Sequence, residues 1–161
     1  MNAPATPPPL HPDIAHLAWL LGAWAGSGEG HYPTIESFAY NEQVEFGHVG
    51  KPFISYVQRT KHAETGMPLH AEAGYFRPVG TDAIELVLVQ PSGIVEMHEG
   101  AVAGMSIDLT ATSVQTTATA KDVTEVRRTL TVTDDVLTYD VHMAAVGLQL
   151  QHHLAATLHR N

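Results

Sequence analysis

The sequence predicts an all-β protein: a ten-stranded antiparallel up-and-down barrel preceded by a short N-terminal helix. Three observations carry this. After Gly22 the helical period disappears and short alternating runs replace it. Turn signals separate these runs at intervals of roughly 10 to 16 residues, so most connections are hairpins and most neighbours antiparallel. A sheet of about ten strands would expose long edges unless it folded on itself or closed. An up-and-down barrel is the simplest closed solution, and a two-sheet sandwich is the alternative.

The elements follow in order. Pro7, Pro8, Pro9 and Pro12 mark residues 1–12 as a disordered, proline-rich tail. Residues 13–161 then form one domain. Asp13 is placed to cap a short helix, with Ile14, Leu17, Leu20 and Leu21 at helical spacing, and Gly22 stops it. Such a helix plugs one end of a barrel. The strands are expected near 23–31, 38–48, 53–62, 68–78, 83–90, 94–101, 105–112, 121–133, 136–146 and 149–159. The clearest is Val136–Val146, where Leu137, Tyr139, Val141, Met143 and Ala145 share one face. Ile84–Val89 is apolar on both faces except at Glu85, as a strand buried on both sides would be. Ser113–Ala120 reads as a loose loop. Gly50-Lys51-Pro52, Gly80-Thr81-Asp82 and Thr133-Asp134-Asp135 are among the turns.

Composition narrows the chemistry. The chain has 161 residues, 44% hydrophobic and 16% charged, enough for one folded core. A formal net charge of -9 argues against nucleic acid and anionic membrane surfaces as partners. The absence of cysteine excludes disulfides, thiolate catalysis, iron–sulfur clusters and covalent C-x-x-C-H heme. Eleven histidines make imidazole the expected ligand for any metal. The N-terminus lacks the basic and apolar regions of a secretory signal, and no apolar run is long enough to span a membrane, so a cytoplasmic protein is expected.

Several residues could carry chemistry. Gly22, Gly26 and Gly28 with Trp24 strip side chains from one face of the first strand, so that another backbone or a flat ligand can approach closely. A barrel-closing strand with a core tryptophan accounts for them equally. Pro33 turns the chain, and the Thr34 hydroxyl either caps that turn or donates to a ligand carboxylate. His70 reads as a hydrogen-bonded wall residue or a ligand, Lys121 as a solvated lysine, and Met143 as core packing. Of the adjacent His152 and His153 only one can face inside a regular strand. The apolar phase of Leu150, Leu154, Ala156 and Leu158 belongs to His152, which leaves His153 facing solvent. Aspartates and glutamates sit on strand faces and in turns, with no pair to single out. No hydrolase constellation appears.

The ordered blocks Gly22-Ala23-Trp24-Ala25-Gly26-Ser27-Gly28, Gly30-His31-Tyr32-Pro33-Thr34-Ile35, Gly47–Phe53, Gly74–Pro78 and Gln151-His152-His153-Leu154 resemble the nitrobindins from Leu17 to Arg160. The resemblance implies a barrel shaped like fatty-acid-binding proteins and lipocalins, holding non-covalent heme b at one open end. It maps the proximal iron ligand onto His153, against the apolar phase. It implies heme-contact or propionate-side places for Thr34 and Lys121, and pocket-lining places for His70 and Met143. It further implies a ferric protein that isomerises peroxynitrite to nitrate and binds nitric oxide. A heme or nitric-oxide carrier or sensor, and a metal-free binder of another apolar ligand, are the other readings.

Overall fold

The computed structural model describes residues 6–161. A 3-10 helix, Pro12–Leu20, leads into ten strands: β1 Gly22–Gly30, β2 Phe38–Gly47, β3 Ile54–His62, β4 Pro68–Val79, β5 Ala83–Gln90, β6 Ile94–Ala103, β7 Ser106–Thr116, β8 Val123–Thr133, β9 Val136–Ala145 and β10 Gln151–Arg160. Each strand pairs antiparallel with its sequence neighbour, and β1 closes on β10 from Trp24↔Arg160 to Gly30↔Leu154. The sheet is therefore a closed up-and-down barrel without free edges. The β8–β9 hairpin turns on Asp134 and Asp135, at φ 49° and 58°. Paired left-handed residues make the two-residue turn whose twist matches the flanking strands.

Two local expectations are corrected. Ser113–Thr116 is strand, because β7 continues to pair with Ile94–Met97 of β6. Valine and threonine suit a pleated surface even in a polar stretch. β5 is buried on one face only. Ile84, Leu86 and Leu88 point inward, while Val89 is half exposed and lies with Val87, Tyr75 and Val95 on the outer wall. Apolar content on both faces did not mean cover on both faces.

The helix plugs the end of the barrel where β1 begins. Ile14, Leu17 and Leu20 recur every third residue, which is the 3-10 period, and all three are fully buried with Trp24. The cap is His11, whose Nδ1 accepts the Asp13 N–H, and not the Asp13 side chain. Trp24 Nε1–H donates to Leu20 O at 2.9 Å, and the Arg160 guanidinium stacks 4.1 Å above the indole. The glycines of β1 have steric causes. A Cβ on Gly26 would lie 2.1 Å from Thr157 O, and one on Gly28 would lie 2.5 Å from Tyr40 Cζ. Of the proline-rich tail, residues 1–5 lie outside the described residues, and Leu10 packs against the core. Among the described residues no helix is long and apolar enough to cross a membrane.

Candidate functional site

At the other end, the connections 31–37, 63–67, 91–93, 117–122 and 146–150 surround an open mouth. Beneath it lies a cavity of about 130 Å³ lined by both apolar and polar side chains. Phe38, Ile94, Val141, Met143 and Leu154 form much of its apolar wall. His70 and His153 also line it.

His153 reaches the cavity through an irregularity. In the β9–β10 ladder His152 pairs with His142 and Leu154 with Val141, so His153 is an extra residue at a β-bulge. A bulge lets one strand reverse its phase. Leu154 keeps the inward phase it shares with Ala156 and Leu158, His153 lines the same cavity, and His152 lies outside against Asp140 at 3.1 Å. The expectation that the apolar phase places His152 inside and His153 in solvent is thereby corrected. It assumed a regular strand.

The ring of His153 is held in one tautomer. Its Nδ1 lies 2.7 Å from His31 O, and a carbonyl only accepts, so Nδ1 carries the proton and Nε2 the lone pair. The same two residues are tied by His31 N–H to His153 O, also at 2.7 Å. Burial pushes the His153 imidazolium below the ordinary histidine value, against the effect of its carbonyl partner. A neutral imidazole whose second nitrogen donates to a backbone carbonyl is the usual arrangement of a metal-ligating histidine. The donor chemistry therefore fits a heme iron. The cavity is smaller than the roughly 300 Å³ or more of drug-sized ligand pockets, so a macrocycle would need the mouth as well as the cavity.

Lys121 and Thr34 are not brought into the cavity wall. Lys121 Nζ sits 4.1 Å from the Tyr32 ring centroid, and Tyr32 stands edge-on to His153 at 5.9 Å. Thr34 is exposed in the turn closed by Ile35 N–H to Tyr32 O. Both stand on the rim of the mouth.

The floor of the cavity holds a group of residues that sequence reasoning missed. Arg128 donates to both oxygens of Glu72, at 2.7 and 3.0 Å, and to Glu96 at 3.0 Å. Tyr56 donates to Glu72, while Gln90 and His98 bond the two oxygens of Glu96. Burial would raise both carboxyls, but the Arg128 guanidinium outweighs it and holds Glu72 and Glu96 below the ordinary range. Glu42 is 2% exposed and accepts from Tyr139 OH, with no arginine against it. Burial pushes its carboxyl up to about 7, against the hydrogen bond from Tyr139 and the nearby Gln58 side chain. The signal was available in strand parity. Glu42 alternates with Tyr40 and Val44, Glu72 with Phe76, and Arg128 with Val126 and Leu130, all inward positions.

Comparison with known proteins agrees with this geometry. Residues 13–160 match the model of the THAP4-like, heme-binding beta-barrel domain. A peroxynitrite isomerase of Nocardia farcinica is 49% identical, over 100% of both chains. Peroxynitrite isomerase 2 of Mycobacterium avium is 52% identical over 96% of this chain and 98% of its own. The crystal structure of Rv2717c from M. tuberculosis superposes with a TM-score of 0.89 at 46% identity, covering 95% of this chain and 99% of that one. With its motifs, its closed barrel and its full-length relatives in agreement, the chain belongs to the THAP4-like heme-binding β-barrel family, the nitrobindins.

Proposed function

We propose that this chain holds heme b non-covalently, with His153 Nε2 as the proximal iron ligand, and isomerises peroxynitrite to nitrate. The observation that carries the reading is the His153–His31 hydrogen bond at 2.7 Å, which leaves Nε2 as the free donor atom of a cavity-lining imidazole. The substrate is taken from relatives near 50% identity that bear the name peroxynitrite isomerase. A chain without cysteine has no thioether route to heme, which favours the non-covalent b type.

When bound, ferric heme supplies a Lewis-acid centre for an anionic ligand. The protein's residues do the rest. His153 would hold the iron, and His31 O fixes the His153 ring. Phe38, Ile94, Val141, Met143 and Leu154 form an apolar wall that would confine a small molecule bound in the cavity. His70, 3.6 Å from Glu72, adds a polar edge to that wall. Lys121 and Thr34, on the rim, would hold the heme propionates. Nitric oxide is a second small ligand for the same iron.

The test is nitrate yield from peroxynitrite with the heme-loaded protein, against heme-free protein and free heme. Catalytic nitrate formation supports the proposal. A Soret band without turnover would leave a heme or nitric-oxide carrier, and no Soret band a binder of another apolar ligand.

A further inference from the structure

Glu42, Tyr139 and Tyr40 form a continuous hydrogen-bonded row from the barrel interior to the cavity. Tyr139 OH donates to Glu42 Oε2, the Tyr40 and Tyr139 hydroxyls are 2.8 Å apart, and Tyr40 lines the cavity. The Glu42 carboxyl is buried among Tyr40 on its own strand, Gln58 on β3, Glu72 and His70 on β4, and Tyr139 on β9. Its other oxygen, Oε1, is buried without a hydrogen-bond partner. Arg128, the cation of this interior, is committed to Glu72 and Glu96. A buried carboxylate oxygen left unpaired is costly, whereas a protonated carboxyl can donate a hydrogen bond itself.

We propose that Glu42, Tyr139 and Tyr40 are a proton relay between a buried acid and the cavity, with Tyr40 as the group that meets a ligand or water held there. The direction of the row follows the state of Glu42. With Glu42 ionised, Tyr139 donates to it, Tyr40 donates to Tyr139, and the Tyr40 oxygen offers a lone pair to the cavity. With Glu42 protonated, the row reverses and the Tyr40 proton turns away from Tyr139, to Ala155 O at 3.4 Å or to a better acceptor held in the cavity. In delivery the Glu42 O–H bond breaks and a Tyr139 O–H bond forms. The former Tyr139 proton passes to Tyr40, and the Tyr40 proton passes to a basic oxygen in the cavity. The carboxyl ends ionised, the base protonated, and no electron moves. A peroxide-type oxyanion or water is the class of acceptor. Gly28 has a part in this, because a Cβ there would lie 2.6 Å from the Tyr40 hydroxyl. The residues act as positioning and proton-holding groups. The relay rests on the proposed function only for the identity of the cavity's occupant.

The experiment is a pH-jump infrared measurement on the heme-loaded full chain, following the carbonyl stretch of protonated carboxyl groups. Wild type is expected to show one buried carboxyl with a midpoint near about 7, absent in Glu42→Gln. Tyr40→Phe keeps this band but equilibrates about tenfold more slowly, the factor for about 1.4 kcal/mol added to the barrier. Tyr139→Phe gives a second break in the same row and the same slowing. The heme-free full chain is expected to show the same band, slowed in the same way by Tyr40→Phe and Tyr139→Phe, so failure of the heme reading does not remove the relay. The relay is overturned if the band survives in Glu42→Gln. It is also overturned if both tyrosine variants equilibrate at the wild-type rate, since protons would then reach Glu42 without the row. The groove on the outer wall that Tyr40 and Tyr139 also border would be the other route.

Discussion

Replacing Arg128 with methionine keeps the apolar stem and removes the one cation that bonds both Glu72 and Glu96. The three side chains are 10%, 3% and 3% exposed, so solvent screens little of the loss. Breaking a buried ion pair from one side costs about 3–5 kcal/mol because the partners remain uncompensated. For a domain of this size that corresponds to a fall in Tm of about 6 to 20 °C. The pH dependence gives the sharper sign. In the wild type Glu72 and Glu96 are held below the ordinary range, so their stabilisation is full above it and is lost as pH falls through their folded values. In Arg128→Met the guanidinium is gone, His70 and His98 still favour the carboxylates, and burial, the largest effect on both, raises them. The variant is then least burdened when they are protonated, and its deficit narrows on acidification from about pH 7 to about pH 5. Urea unfolding of both proteins across that range is the assay. A deficit under about 1 kcal/mol, or one that widens on acidification, would refute the reasoning.

Gly26→Ala should cost about 3 kcal/mol or more in urea unfolding, because the new Cβ meets Thr157 O at 2.1 Å and β1 must separate from β10. Lys121→Ala and Thr34→Ala should weaken heme retention only about two- to fivefold at an exposed rim, measured by heme transfer to an acceptor protein, with an unchanged Soret maximum. Unchanged retention in both would place these residues outside the site. Acid should release heme as His153 becomes protonated. Burial lowers this imidazole, so the midpoint of a Soret titration should fall below the ordinary histidine value, and release above that value would contradict the assignment.

Much of the barrel was legible because one apolar face per strand, separated by turn residues, leaves few ways to close the sheet. Asp134-Asp135 and Gly80 mark turns by chemistry that survives in any context. Trp24 and its glycines were legible as a close-approach strand, although the partners at Gly26 and Gly28, Thr157 O and the Tyr40 ring, depend on which strands meet. β5 misled because the outward Val87 and Val89 are as apolar as the inward residues. The site was harder. A bulge at His153 depends on the pairing of β10 with β9, so residue parity alone gave the wrong face, and the family motif was what pointed to His153. The buried Glu42, Glu72, Glu96 and Arg128 were visible as charges at inward positions. Each makes sense only when strands distant in sequence bring its partner across the barrel, as Arg128 is brought to Glu72 at 2.7 Å.

The axial ligand is tested most directly by the Soret spectra of His153→Ala and His152→Ala after ferric heme is added to each purified protein. His153→Ala should keep the folded barrel and lose stable heme, or hold it weakly with an altered spectrum. His152→Ala should give the wild-type spectrum, since its ring lies outside the barrel beside Asp140. Loss of heme in His152→Ala with retention in His153→Ala, or retention in both, would contradict the assignment of His153.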